Sequence, residues 1–457
     1  MCVTVVVLTF WFQIPSTDLK HRDHNPQDGT HGGIEIKQSH QEHQKPRAYN
    51  SGTTQNYSSQ KATSGIFPPS WSISLTIRMT STPKLLRFVF CDLLKSVALY
   101  WTRQLGDVAI ILDQESTKDR ILASTLQHHQ EQIGMKFSFI YEPLPKDKNI
   151  LNKMKRLKCK TFGYRRQLYS SFLMDRFINS SIIAWIDTDT KFKSPVTIET
   201  IFNGNKLRVK GINKFKFGYV QGFNRATKLM IGKPIPTNFM SFFPAYIWRD
   251  TITNCNKYIL KFMKVRTIEE AFIKNDGLAC VSPVNVFLTY AYYFEKDRYD
   301  WHIDIGRGIS LKKYNKLYLL PGHELTPSDV NMDIHVTFHN KYFTDSKNVI
   351  NRHGYCAAVD KTSIKLDTTT RDMCKKFQGE VMWSLFIHQN GHNHLDTWCG
   401  GTAKRRQCLM FINDYYKQVR TAVKDGVYKL DIDTVRAVDK AAVSMNVKCK
   451  PFFYGGK

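Results

Sequence analysis

The stretch IIAWIDTDT (Ile182–Thr190) decides the fold. Its first five residues, Ile182–Ile186, form a continuous apolar run, which predicts a strand buried on both faces, as in a parallel sheet. Asp187 and Asp189 follow at once, and alternate residues of an extended chain point to the same side. The spacing therefore predicts two carboxylates that converge at the carboxyl end of a buried strand.

Short apolar runs and helical patterns alternate before this strand. We predict strands at Arg87–Phe90, Asp107–Leu112 and Phe137–Tyr141, and helices at Ser116–Gln130 and Tyr164–Ile178. The alternation predicts an α/β fold in which a mostly parallel sheet is flanked by helices on both faces. Ligands of such sheets bind beyond the carboxyl ends of the strands. The two aspartates thus follow a strand at the edge where a ligand is expected.

The oxygens of Asp187 and Asp189 suit a Mg²⁺ or Mn²⁺ ion that keeps several waters and shares the oxygens of a diphosphate. The alternative is an Asp-rich turn that caps the next segment, which Pro195 soon interrupts. Residues 146–216 carry seventeen basic and five acidic side chains, a net charge of +12. This positive field favours a phosphate-bearing ligand, although a solvated basic face without a dedicated partner accounts for it equally well.

The segment YRRQLYSSFLMDRFINSSIIAWIDTDTKFKSP (Tyr164–Pro195) resembles the nucleotide-sugar-binding core of glycosyltransferases of the GT-A fold. In that family a basic residue opens the helix before a strand that ends in a D-x-D motif. The likeness covers residues 84–345 in element order, but only this segment at motif level. The resemblance implies a Rossmann-like, mostly parallel sheet and a sugar-nucleotide donor.

The same resemblance assigns roles to individual residues. It implies that Asp187 faces the ribose and the metal, that Asp189 ligates the metal, and that Arg165 or Arg166 lies near the nucleotide.

Many members of the family also place a late histidine on the metal. His335 and His339 of DIHVTFH are the available matches, and a period of two puts both on one face of a strand. We prefer His339, which is nearer the strand end, and a core or surface histidine is the alternative for each. Glu270, Asp276 and Glu295 are weak candidates for the base that deprotonates an acceptor hydroxyl, because no spacing marks them out.

Two segments rich in aromatic and charged residues, Phe242–Asp250 and Tyr293–Trp301, are candidates for loops that stack acceptor sugars. Ordinary packing of amphipathic rings is the alternative.

The chain has 457 residues and a formal net charge of +27. Changes in composition along it predict three parts. Residues 1–65 combine an apolar start, Val3–Phe12, with a polar stretch that we expect to be a disordered stem. The start predicts a signal peptide or a short membrane anchor, and an accident of the start site is the alternative. We expect a GT-A-like catalytic domain at 84–345 and a smaller accessory region at 350–457.

Cysteines crowd this accessory region. Five of the ten lie there: Cys356, Cys374, Cys399, Cys408 and Cys449. No C-x-x-C spacing occurs, so we predict a disulfide-pinned region rather than a zinc site. Because five is an odd number, one partner lies elsewhere or stays free. Two acceptor sequons, at Asn56 and Asn179, agree with a protein of the secretory pathway, in the Golgi or ER lumen, as a type II membrane or secreted protein.

Together these features predict a metal-dependent glycosyltransferase that moves a sugar from a nucleotide-sugar donor to a hydroxyl of a glycan, protein or lipid. A catalytically silent, glycosyltransferase-like binding protein is the main alternative. A haloacid-dehalogenase-type phosphatase is disfavoured because Lys191 stands where its motif has threonine. A basic nucleic-acid-binding protein is disfavoured because no RRM-like or zinc-finger motif is present. We expect no nucleic acid partner.

The compartment is testable in cells. We expect glycosidase treatment of the protein from a eukaryotic host to increase its gel mobility, because the sequons would carry N-linked glycans in the lumen. An unchanged mobility, together with five or more free thiols in the C-terminal region, would instead favour the cytosol.

Overall fold

A computed structural model of the chain describes residues 71–157, 161–190, 192, 196–240, 243–275, 280–306, 309–330, 425–426 and 432–449. The strands are β1 Ile73–Arg78, β2 Val108–Asp113, β3 Phe137–Glu142, β4 Ile182–Ile186, β5 Phe202–Asn203, β6 Lys206–Ile212, β7 Ala245–Trp248 and β8 Tyr299–Asp304. The helices are α1 Pro83–Phe88, α2 Leu94–Tyr100, α3 Thr117–Ile133, α4 Lys148–Arg156, α5 Phe162–Ser171, α6 Met174–Phe177, α7 Ile198–Ile201, α8 Gly218–Ile231, α9 Arg249–Met263, α10 Ile268–Lys274, α11 Pro283–Phe294, α12 Leu311–Tyr318 and α13 Ile432–Ser444. The predicted stem at 1–65 lies outside the described residues, as does most of the region 350–457.

The main sheet has five strands in the order β3-β2-β1-β4-β7. Strands β1 to β4 run parallel, and β7 pairs with β4 in the antiparallel sense. Every residue of β4 is buried, as expected for a strand covered on both faces. The predicted α/β fold with a mostly parallel, helix-flanked sheet is therefore confirmed, and β2, β3, β4 and α3 lie where the sequence predicts them.

The central strand, β1, was not predicted, and it precedes the expected domain start at residue 84. All six of its residues are buried although Ser74 and Thr76 are polar. The Ser74 hydroxyl pairs with Ser180 at 2.6 Å, and the Thr76 hydroxyl donates to the Ser74 carbonyl at 3.2 Å. Because both hydroxyls have hydrogen-bond partners nearby, the strand can contain polar residues at alternate positions and still be fully buried.

The predicted strand at Arg87–Phe90 is wrong, because these residues are helical. Thr82 caps α1 by accepting from the Leu85 N–H, and Pro83 occupies the first turn, where its missing N–H is harmless. A π-helical turn at Val89–Leu93 joins α1 to α2. A four-residue apolar run is compatible with either structure, and these start signals favour the helix.

The predicted helix at Tyr164–Ile178 is divided into α5 and α6. The hydroxyls of Ser170 and Ser171 both donate back to the carbonyl of Gln167, at 3.2 and 2.7 Å. Such back-bonding bends and weakens a helix, and α5 ends at Ser171.

Three strands form a second sheet, in the order β5-β6-β8, with β6 and β8 parallel. The aromatic residues expected in acceptor loops belong largely to strands: Tyr246 and Trp248 lie in β7, and Tyr299 and Trp301 lie in β8, all buried. The expectation of sugar-stacking loops is wrong for these rings, because they fill the core between the two sheets.

The last described helix, α13, packs against α2 and α3. Lys95, which is completely buried, pairs with Asp439 at 2.6 Å, and a disulfide joins Cys91 to Cys449. The disulfide confirms a pinned C-terminal segment whose partner lies outside the late cysteine cluster. Among the described helices we find none with the length and apolar character that a membrane span requires.

Gly106 fixes the approach of β2 to β1. Its φ is +148°, and an added Cβ would lie 1.7 Å from the Ile73 carbonyl oxygen. We expect Gly106→Ala to destabilise the fold by about 3 kcal/mol. The backbone at Ile73 would have to move away from the new Cβ, and alanine is also strained at this φ. Gly204→Ala is the matched control, because Gly204 also has a positive φ, +58°, but open space where the Cβ would lie. We expect this substitution to lower the free energy of unfolding by about 1 kcal/mol. Urea unfolding measures both, and equal losses would contradict the close approach.

Candidate functional site

The strand order contains one reversal at which a ligand crevice is expected. From β1 the chain proceeds to β2 and β3 on one side, and β4 then returns to the other side of β1. Ligands of open α/β sheets bind at such a switch point, outside the carboxyl ends of the two strands. Here those ends are followed by residues 79–82 after β1 and residues 187–190 after β4.

Asp187–Thr190 forms a turn rather than the extended chain that we expected. The Thr190 N–H donates to the Asp187 carbonyl at 3.1 Å, and aspartate is favoured at the first position of such a turn. Asp187 and Asp189 are half-buried, whereas Thr190 is buried. Both carboxylates still follow β4 directly, so the D-x-D pair stands at the switch point, but the alternation of an extended strand does not set their directions.

Tyr164, in the first turn of α5, is electrostatically coupled to Asp187. Thr161 caps this helix by accepting from the Tyr164 N–H at 3.3 Å. Burial, with a smaller contribution from the Asp187 carboxylate, raises the pKa of Tyr164 to about 12. The phenol is therefore protonated at neutral pH, and α5 begins close to the D-x-D turn.

Each of the two loops at the crevice holds a buried hydroxyl. The hydroxyls of Ser81, after β1, and Thr190, after β4, have no hydrogen-bond partner within the described part of the chain. Asp119 of α3 fixes the first loop, because it accepts from the N–H of Ser81 at 2.6 Å and from that of Asp113 at 2.9 Å. A bound polar group could supply the hydroxyls with partners, which buried polar atoms normally have.

A charged cluster ties together the carboxyl ends of β1, β2 and β3. Arg78, Asp113 and Glu142 are the last residues of these strands. The Arg78 guanidinium contacts Asp113 at 2.5 Å and Glu142 at 3.1 Å, and it is 3% exposed. Its other nitrogens donate to the Met79 carbonyl and the Ser170 hydroxyl.

Arg166 is the second buried guanidinium of this cluster. It donates to both carboxylate oxygens of Glu115 and to the Glu142 carbonyl, the latter at 2.6 Å, and it lies 3.3 Å from Asp113. Burial raises the pKa of Glu142, although Arg78 and Arg166 oppose the shift. Partial burial opposes ionisation of Glu115, but the hydrogen bond from Arg166, a backbone hydrogen bond and the charges of Arg166 and Arg78 together lower the pKa of that carboxyl.

Arg165 has a different set of partners. Its guanidinium donates to the carbonyls of Leu157 and Lys155, the latter at 2.9 Å, and it is buried. It therefore fixes the chain that leaves α4. The predicted contact of Arg165 or Arg166 with a nucleotide stays a prediction, and the contacts described above serve the fold.

Of the candidate bases, Glu295 is not brought to the D-x-D turn. Glu295 accepts from Thr251, Asn254 and Arg298. Thr251 also hydrogen-bonds the Tyr299 hydroxyl, which accepts from the N–H of Trp248. Trp248 pairs with Ile182, the first residue of β4. Glu295 thus lies by the amino end of β4.

The other candidates offer less. Glu270 accepts from the Arg266 N–H at 2.8 Å at the start of α10. Asp276, His335 and His339 lie outside the described residues.

The donor set at the turn fits a hard divalent cation. Asp187 and Asp189 offer carboxylate oxygens, which Mg²⁺ and Mn²⁺ prefer. Within the described ranges no group of three His, Cys, Asp or Glu side chains is assembled. Mg²⁺ sites with one or two carboxylates keep positions for water and phosphate.

Comparison with known proteins finds no matching family model and no matching curated protein. Among solved structures, mouse xyloside xylosyltransferase 1 in its apo form is 11% identical, with a TM-score of 0.30 over 52% of this chain and 85% of that one. An active-site mutant of LgtC is also 11% identical, with a TM-score of 0.28 over 46% and 72%. At such similarity we base the function on this chain's own strand order and side chains.

Substitutions separate the charged cluster from the D-x-D turn. We expect Arg166→Gln to lower the free energy of unfolding by about 3 kcal/mol, because it removes a buried cation from its carboxylates. Asp189→Asn is half-buried on a turn and should change stability by about 0.5 kcal/mol or less. Guanidinium unfolding of both proteins measures the contrast. An Arg166→Gln protein as stable as the parent would show that this arginine is not structural.

Proposed function

We propose that this protein is a metal-dependent glycosyltransferase that moves a sugar from a nucleotide-sugar donor to a hydroxyl acceptor. One observation carries the proposal: two carboxylates, Asp187 and Asp189, follow a fully buried parallel strand at the switch point of the sheet. The topology of such sheets favours a ligand there, and paired carboxylates favour a cation-bound phosphate group.

In this proposal Asp187 and Asp189 hold Mn²⁺ or Mg²⁺, whose charge would stabilise the diphosphate as it leaves the sugar. Tyr164, whose pKa burial and the Asp187 carboxylate raise to about 12, stays protonated at neutral pH and adds no negative charge near this carboxylate. The hydroxyls of Ser81 and Thr190 are placed in the two loops where they could orient the polar groups of the donor. Burial of the surrounding turn residues would reduce access of water, which competes with the acceptor for the sugar.

The rigid frame beneath the crevice has a separate role. The Arg78 and Arg166 cluster fixes the ends of β1, β2 and β3, and Asp119 fixes the loop after β1. A fixed frame keeps the catalytic groups in position without reorganisation during the reaction. We also propose the secretory pathway as the compartment, on the sequons and the clustered cysteines.

Metal-dependent nucleotide binding should require the D-x-D turn. We expect Asp189→Asn to abolish Mn²⁺-dependent binding of a nucleoside diphosphate, because one carboxylate leaves too few anionic ligands for the shared cation. Isothermal titration calorimetry with and without Mn²⁺ measures this. Asp297→Asn is the matched control, since Asp297 is an exposed aspartate before β8. If Asp189→Asn bound the nucleoside diphosphate as tightly as the parent in Mn²⁺, the site would lie elsewhere. A second assay offers the parent a panel of sugar nucleotides, and the enzyme proposal would fail if none were hydrolysed or used for transfer.

A further inference from the structure

A cluster of aromatic rings lies on the surface formed by α9, α11 and the end of α8. We call it the aromatic patch: Tyr258 and Phe262 on α9, and Tyr290 and Phe294 on α11. Phe262 is 46% exposed and Phe294 is 44% exposed. Exposed phenylalanines that sit together, rather than singly, mark interaction surfaces.

The rings of the patch contact one another and form one continuous surface. Tyr258 stacks on Phe262 with centroids 6.0 Å apart and lies 4.8 Å from Phe294, which is 5.0 Å from Tyr290. The Phe262 ring also covers Gly232, since a Cβ there would come within 2.8 Å of it. The side chains are therefore held in place before any partner arrives, so little entropy is lost on binding.

Positive charge borders the patch. Residues 257–266, KYILKFMKVR, hold four basic and no acidic side chains. Lys257, Lys261 and Lys264 are exposed, and their spacing places them on one face of the chain beside Tyr258 and Phe262. On the other side, the Lys233 ammonium lies 5.9 Å from the centre of the Phe294 ring.

Negative charge near the patch is largely neutralised. Glu295, next to Phe294, is 10% exposed and is paired with Arg298 at 2.9 Å. Burial raises the pKa of Tyr290 to about 12 and also raises that of Tyr258, so both phenols are uncharged at neutral pH. Asp297 is the exposed acid of this turn.

We propose that the aromatic patch docks the protein on an anionic lipid bilayer. Aromatic rings prefer the boundary between headgroups and acyl chains, and flanking lysines are attracted to anionic lipids. A second copy of this chain suits the patch poorly, because a two-fold contact would bring its lysines face to face in a protein of net charge +27. This surface is independent of the D-x-D turn, so the docking proposal stands or falls without the transferase.

The test compares two patch variants with matched controls in the full-length protein. Phe262→Ser/Phe294→Ser removes the exposed rings, and Lys257→Gln/Lys261→Gln removes bordering charge. Leu317→Ser and Lys312→Gln/Lys313→Gln are the controls, because Leu317 is 56% exposed and both lysines are exposed on α12. Co-sedimentation with vesicles of phosphatidylcholine, with and without phosphatidylserine as the anionic lipid, measures the partition coefficient.

We expect the parent to prefer the anionic vesicles. The double Phe variant should lose about tenfold in partition and the double Lys variant about thirtyfold, whereas both control variants should match the parent. Loss of the preference with an unchanged thermal melting curve separates docking from misfolding.

Three results would overturn the proposal. The first is equal partition of parent and patch variants, which would place any membrane contact elsewhere in the chain. The second is equal binding to neutral and anionic vesicles. The third is a parent dimer that Phe262→Ser/Phe294→Ser converts to a monomer in light scattering, which would assign the patch to a second copy.

Discussion

Two buried guanidiniums, those of Arg78 and Arg166, hold the carboxyl ends of the parallel strands together. Arg78 ends β1, and the carboxylates of Asp113 and Glu142 that it contacts end β2 and β3, so the charges cannot be satisfied unless the three strands end at the same level. Removing one partner of such a buried group leaves an uncompensated charge, which is among the largest single destabilising changes in a fold. The cluster therefore fixes the edge of the sheet from which the loops of the crevice depart, and α5, which carries Arg166, is fixed by the same contacts.

The position of the candidate site follows from this frame. Because β1 lies between β2 and β4, the topology predicts a crevice between the loops that follow β1 and β4. The charges of the frame beneath it are largely paired within the frame, since each guanidinium contacts carboxylates. The loops after β1 and β4 carry the half-buried Asp187 and Asp189 and the buried hydroxyls of Ser81 and Thr190. The structural charges thus end strands β1, β2 and β3, whereas the candidate site residues lie in the loops that follow β1 and β4.

Local patterns predicted what local forces determine. The apolar run Ile182–Ile186 predicted β4 to the residue, and Ser116 predicted the start of α3. Strand β1 escaped because its buried Ser74 and Thr76 depend on partners that a sequence pattern does not show. The role of Arg166 escaped for a related reason, since Glu115 is remote in sequence and meets it only when the sheet forms. A usable signal did exist: Asp113 and Glu142 each directly follow a predicted strand, and residues at the carboxyl ends of parallel strands meet at one edge of the sheet.

Photoaffinity labelling tests the central claim, a nucleotide site between β1 and β4, most directly. The protein would be illuminated with an azido-nucleoside diphosphate and Mn²⁺, digested, and the labelled peptides identified by mass spectrometry. We predict label in the peptides that contain residues 79–82, 161–166 or 187–190, and its loss when unmodified nucleotide competes. Competed label confined to the second sheet, in β6 or β8, would contradict a site at the switch point.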